Sequence, residues 1–108
     1  MLATPFRSAK DLAAEIRRKK IGCLELLDLY LSRVEKHNPA LNAIIVTDVE
    51  NARKRARAAD RALARKQVWG PLHGVPMTIK ESYDVVGMPT TRGIPELKDN
   101  FPPSNALS

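Results

Sequence analysis

An α/β fold, with three helices and two or three strands, is what this 108-residue sequence predicts. Three observations lead there. Apolar residues recur at helical spacing in three stretches before Trp69. Short apolar, partly β-branched runs at residues 41–48, Val75–Glu81 and Tyr83–Val86 have strand length. Beyond Trp69 the texture changes, with six of the eight prolines and four of the five glycines between Gly70 and Pro103, so that half reads as turns and short extended segments.

The first helix is predicted to start at Ser8, whose side-chain oxygen can accept from the unpaired amides of the first turn, with Asp11 three residues on. Leu12, Ala13 and Ile16 share a face, and Arg17 to Lys20 place cations at the C-terminal end, where the helix dipole favours them. Gly22 ends or interrupts it. The second helix is predicted from about Cys23 to His37, with Leu24, Leu27, Leu31 and Val34 as its seam, widened by Leu26 and Tyr30. Asn38-Pro39 reads as a stop, because proline cannot donate to the helical ladder. A buried strand is expected over LNAIIVTD, residues 41–48. The third helix is predicted over about Val49 to Lys66, its stripe of Val49, Ala52, Ala56, Ala59 and Leu63 small enough for a close neighbour. Two further strands are too little sheet to bury three helices, so these residues are expected to form an incomplete domain.

Bulk composition narrows the class. Hydrophobic residues at 44% and charged residues at 28% are ordinary for a globular chain. No apolar run reaches the roughly 18–20 residues of a membrane span, and the N-terminus has no apolar core of a signal peptide. Cys23 is the only cysteine, so an intrachain disulfide is excluded, and a cytoplasmic location is expected. No cofactor is expected. His37 and His73 lack the companion ligands of a metal site.

The stretch GPLHGVPMTIKES, Gly70 to Ser82, raises the functional question. In VPMTIKE, alternation sends Val75, Met77 and Ile79 to one face and Pro76, Thr78 and Lys80 to the other. From the residues alone, Lys80 is a solvated lysine at a strand end. The longer run GPLHGVPMTIKESYDVVGMPTT, Gly70 to Thr91, closely resembles the amidase signature family of C–N hydrolases. Its elements G-P-L-x-G-V-P-x-x-I-K-[DE] and D-V-x-G-x-P-T-T match at every named position. The leucine-rich helix ending in Asn38-Pro39, then Leu41-Asn42-Ala43 and an alanine-rich charged helix extend the resemblance over nearly the whole chain.

That resemblance implies a mixed central sheet flanked by helices and a Ser–cis-Ser–Lys triad, with Lys80 as the proton-accepting lysine. The chemistry needs its amine neutral at the moment of transfer, which burial favours because desolvation disfavours the ammonium form. It also implies that residues 1–108 are the N-terminal part of one amidase domain, with 1–69 a mainly helical cover and 70–108 the lysine strand and turns. Both triad serines would lie further along, in a Gly/Ser-rich segment. Ser8, Ser32, Ser82, Ser104 and Ser108 lack such surroundings, so the 108 residues alone are expected to be inactive. The implied partner is a small-molecule amide, with no membrane; a homo-oligomer of the full-length protein stays open. A tRNA-linked amidotransferase subunit of the same family also stays open. Asn105 stands where the family commonly has an aspartate.

Other residues read more plainly. His73 is expected to be a turn residue, Cys23 a packed first-turn residue, and Thr90-Thr91 a structural pair after Pro89. Alternation puts Glu81 opposite Lys80, so neither Glu81 nor Asp84 is given a catalytic role. The net charge of +6 is concentrated between Glu50 and Lys66, where seven bases face two acids. Arg53, Lys54, Arg57, Arg61 and Arg65 would suit a basic nucleic-acid-binding module. With charges spread around the helix and no aromatic residue among them, a solvated face is expected instead, and no nucleic-acid partner.

Overall fold

A computed structural model describes residues 4–107. The chain divides into two compact units: one takes in residues up to Ile45 together with Val49–Pro76, the other Val46–Asp48 and the residues from Met77 onward. The first holds all three α-helices, α1 (Ala9–Arg17), α2 (Cys23–Leu41) and α3 (Val49–Ala64), after a single 3-10 turn at Thr4–Phe6. The second holds turns, irregular segments and a 3-10 turn at Pro95–Leu97.

Helix α1 begins as its sequence dictates. The Ser8 hydroxyl accepts the Asp11 amide at 3.1 Å, and Leu12, Ala13 and Ile16 are the buried residues of the helix. α2 has glycine at its N-cap, which offers no side-chain acceptor. The carboxylate of Asp60, on α3, takes that place: Oδ1 accepts the Cys23 amide at 2.7 Å and Oδ2 the Leu24 amide at 3.2 Å. Two of the orphan amides that every helix start leaves are thus satisfied from a neighbouring helix. Small residues on α3 permit that approach, with Ala59 and Ala62 buried.

The core consists of Leu12, Ile16, Cys23, Leu26 and Ala59, with Ile21, Tyr30, Ala56, Leu63 and Val75 packed around it. Ile16, Cys23 and Leu26 have no exposure at all. The predicted α2 seam is displaced toward the two residues expected to widen it: Leu24, Leu27, Leu31 and Val34 are half-buried, while the fully covered side lies about 100° round the helix at Cys23 and Leu26, with Tyr30 packed against it. Only that side meets α1 and α3 residues of the core.

α2 also runs past the expected stop. Pro39 sits inside its last turn, and the helix ends at Leu41. Proline forfeits only its own N–H bond there, and Asn38 secures the end. Its carbonyl accepts the Asn42 amide at 2.6 Å, its Oδ1 accepts Ala43 and Ile44 amides at 2.9 Å each, and its Nδ2 donates to the Ile44 carbonyl at 2.8 Å. Asn42 takes the left-handed conformation, φ 49°, that closes the helix.

The expected strands at 41–48, Val75–Glu81 and Tyr83–Val86 are corrected: no strand occurs among the described residues. Leu41 belongs to α2, residues 42–48 and 75–80 lack regular structure, and residues 81–83 and 86–88 turn. A strand exists only where a neighbour completes its ladder. The N–H groups of residues 77–80 have no backbone partner among the described residues, so apolar content alone does not make strand.

Candidate active site

Residues 70–76 are the entry to the candidate lysine and belong to the helical unit. The Gly70–Gly74 stretch turns twice, with the His73 amide donating to the Gly70 carbonyl at 3.2 Å and the Val75 amide to Leu72 at 3.0 Å. Gly74 has φ +78°, and a Cβ there would overlap Cys23 Sγ, so both backbone and packing demand glycine. His73 is buried rather than displayed. Its Nδ1 accepts the Trp69 amide at 3.0 Å, which leaves Nε2 to donate to the Ala59 carbonyl at 2.9 Å. Those two bonds select one neutral tautomer. Arg17 reaches across from α1 to the Pro71 carbonyl at 3.2 Å. The turn is therefore tied to α1 and α3 by side chains that the sequence marks only as charged or as turn residues.

Lys80 belongs to the second unit. It ends the irregular segment 75–80, is exposed, and its carbonyl accepts the Tyr83 amide at 3.0 Å, which turns the chain immediately after it. Its ammonium has no hydrogen bond or ion pair among the described residues. The next residue, Glu81, is engaged: its Oε1 accepts a short hydrogen bond from the Thr91 hydroxyl, and that hydroxyl oxygen accepts the Gly93 amide at 3.4 Å. Asp84 holds the chain through its backbone, its carbonyl accepting the Ala106 amide at 2.9 Å. Glu81 and Asp84 thus act as structural fasteners in this unit.

The Thr90-Thr91 element is built in. Thr90 and Asn100 exchange two bonds, the Thr90 amide to the Asn100 carbonyl at 2.8 Å and Asn100 Nδ2 to the Thr90 carbonyl at 3.0 Å. Thr90 is 2% exposed, and its hydroxyl has no partner among the described residues. Asn105 Oδ1 accepts the Val86 amide at 2.8 Å. An aspartate would present the same acceptor, which explains physically why Asn105 can stand where the family commonly has the acid.

The serines fall where the sequence left them. Ser8 caps α1, Ser32 lies exposed on α2, and Ser82 and Ser104 are exposed in turns; Ser108 lies outside the described residues. Cys23 is no nucleophile either. Burial, reinforced by the adjacent Asp60 carboxylate, pushes its thiol up to about 12, which keeps it protonated. Sequence reasoning missed Asp60 as the cap of α2. A glycine N-cap was the one available hint, since it needs an acceptor from elsewhere.

Comparison with known proteins agrees with the motif. The model of the amidase family matches residues 25–108. The chain is 44% identical over 99 residues to an indoleacetamide hydrolase of Bradyrhizobium diazoefficiens, covering 92% of this chain and 19% of that protein. It is 35% identical over 107 residues to human fatty-acid amide hydrolase 2, covering 92% and 20%. A glutamyl-tRNA(Gln) amidotransferase subunit of Acidothermus cellulolyticus is 37% identical over 100 residues, covering 93% and 20%. A crystal structure of a bacterial aryl acylamidase of the amidase signature family superposes with a TM-score of 0.85 at 28% identity, over 93% of this chain and 21% of that one. The chain belongs to the amidase signature family, whose relatives act on amide C–N bonds. It spans about a fifth of the length of the curated relatives it matches.

Proposed function

We propose that this chain is part of a single amidase domain that hydrolyses a small carboxamide, and that Lys80 is its proton acceptor. The observation that supports the role is the complete Gly70–Glu81 motif in a chain of this family, with Lys80 as its penultimate residue and no carboxylate engaging that lysine. A carboxylate partner would hold the side chain as an ammonium, which has no lone pair to take a proton; with none engaged, the neutral amine that accepts from a serine hydroxyl costs less to form. In this reading a serine outside these residues attacks the amide carbonyl, and a second serine passes its proton to the Lys80 amine. The protonated lysine later returns that proton to the leaving nitrogen. The protein would work in the cytoplasm as a free-standing amidase.

The test uses the complete protein. Lys80→Met should lower kcat/KM for a simple aryl or alkyl amide by at least about 10³-fold, in the range of a lost general base. Its thermal unfolding should stay within about 1 °C of the parent, because the side chain is exposed. Near-parental hydrolysis by that variant would end the assignment. The likeness to an amidotransferase subunit supports a second reading, in which the hydrolase feeds ammonia to a tRNA-binding partner. Turnover of a small amide with no partner protein present favours the first reading. Turnover that appears only when a partner and charged tRNA are added favours the second.

A further inference from the structure

The bases of α3 are sorted by the fold in a way their sequence did not reveal. Arg53 is spoken for, its Nε donating to Asp28 at 2.9 Å, and Arg55 lies over the Trp69 ring at 4.2 Å. Besides Lys66, there remain Lys54, Arg57 and Arg61 on α3 and Arg65 in the turn just past its end, at successive spacings of three, four and four residues. At 100° per residue they fall within about 80° of arc and run about 16 Å along the axis. This row lies opposite the buried Ala59. All four are exposed, and none has an acidic partner among the described residues.

The two nearby acids offset only part of its charge. Asp60 spends both oxygens on α2 amides, and Glu50 stands one turn before Lys54 at the far end. Like charges four residues apart destabilise a helix by a few tenths of a kcal/mol each, a cost that the Arg57–Arg61 pair carries.

We infer that this row is a docking surface for the phosphodiester backbone of a nucleic acid. Three features choose that occupant. Three of the four cations are guanidinium groups, which grip phosphate oxygens in pairs. The row contains no large apolar residue, whereas protein–protein interfaces are anchored by buried apolar and aromatic side chains. The apolar stripe of α3 is already packed in the core, so this helix has nothing to insert into a bilayer. With no aromatic side chain in the row to stack on a base, binding is to the backbone and indifferent to sequence. The inference is independent of the role given to Lys80.

The complete protein is titrated against fluorescently labelled 20-base-pair RNA duplexes of two unrelated sequences, across a salt series. Equal affinities for the two are expected, with log affinity falling on log salt at a slope near −3.5 for about four phosphate contacts. Arg57→Glu/Arg61→Glu should weaken binding at least tenfold and reduce the slope by about 2, while amide hydrolysis is unchanged. Lys36→Glu/Lys98→Glu, the same charge change elsewhere, should have less than a threefold effect. Arg57→Gln/Arg61→Gln serves as the second variant should the reversal impair folding. The proposal falls if the duplex does not bind at about 50 mM salt, if the control pair weakens it equally, or if polyglutamate competes as well as RNA does.

Discussion

The two units of this chain are held together by different forces. The helical unit has a dry centre: Ile16, Cys23 and Leu26 are wholly buried, and polar groups such as Asp60 and His73 are recruited to finish it. The second unit leaves Met77, Ile79, Tyr83, Val86 and Phe101 about half exposed or more, and is stitched by hydrogen bonds through Thr91, Asn100 and Asn105. One is apolar packing completed by polar groups. The other is polar stitching with its apolar groups left on the surface. Hydrophobic burial scales with area removed from water, so a substitution of similar size should weigh far more in the first unit.

Gly74→Ala puts this to the hardest test. The new methyl must fit against Cys23 Sγ, and the backbone must hold φ +78°, which an L-residue resists. A loss of about 2–5 kcal/mol is expected from overpacking and backbone strain combined. Adding Cys23→Ala removes the sulfur and should restore part of it; chemical denaturation of the two variants measures the recovery. A neutral Gly74→Ala would show that the centre of the helical unit is looser than described.

A smaller effect follows from the buried thiol. Cys23 in the folded protein lies at about 12, above its ordinary 9.0. Between those values the folded chain keeps a proton that the unfolded chain has lost, so stability falls as pH rises. Below about 9 both states hold the proton and the dependence vanishes. The stability difference between the parent and Cys23→Ala should therefore shift by about 1.4 kcal/mol between pH 8 and pH 10, to the parent's disadvantage. A difference that does not change with pH would contradict the burial of the thiol.

The smallest change expected is in the second unit. Asn105→Ala removes the acceptor of the Val86 amide and should cost about 1 kcal/mol, with faster hydrogen exchange at Val86. Asn105→Asp keeps the acceptor and should leave that amide protected. Equal exchange in both variants would remove Asn105 from the stitching.

Much of this was legible beforehand, for reasons that can be named. The Ser8 cap and the Leu12–Ala13–Ile16 face depend on residues within a few positions of one another, so period and capping chemistry suffice. α3 was readable within two residues because its alanine stripe is long and regular. Lys80 was singled out by a motif that composition cannot supply, and its chemistry is now a matter for mutation. The strands at 41–48, Val75–Glu81 and Tyr83–Val86 were misread because a strand is a property of two segments, and apolar alternation describes only one. The α2 seam was misplaced for a related reason: several of its faces are apolar enough, and α1 and α3 choose which is covered.

By itself, then, the sequence determined the helices, the turns, the glycine at position 74 and the family to which the lysine motif belongs, because these rest on local spacing and residue type. The tertiary structure alone decided that Asp60 caps α2, that His73 is pinned between Trp69 and Ala59, and that Lys54, Arg57, Arg61 and Arg65 are left without an ion pair among the described residues. Each of these joins residues far apart in the chain or removes competitors from a set. No local pattern records which distant group will arrive to satisfy an unpaired amide or neutralise a charge.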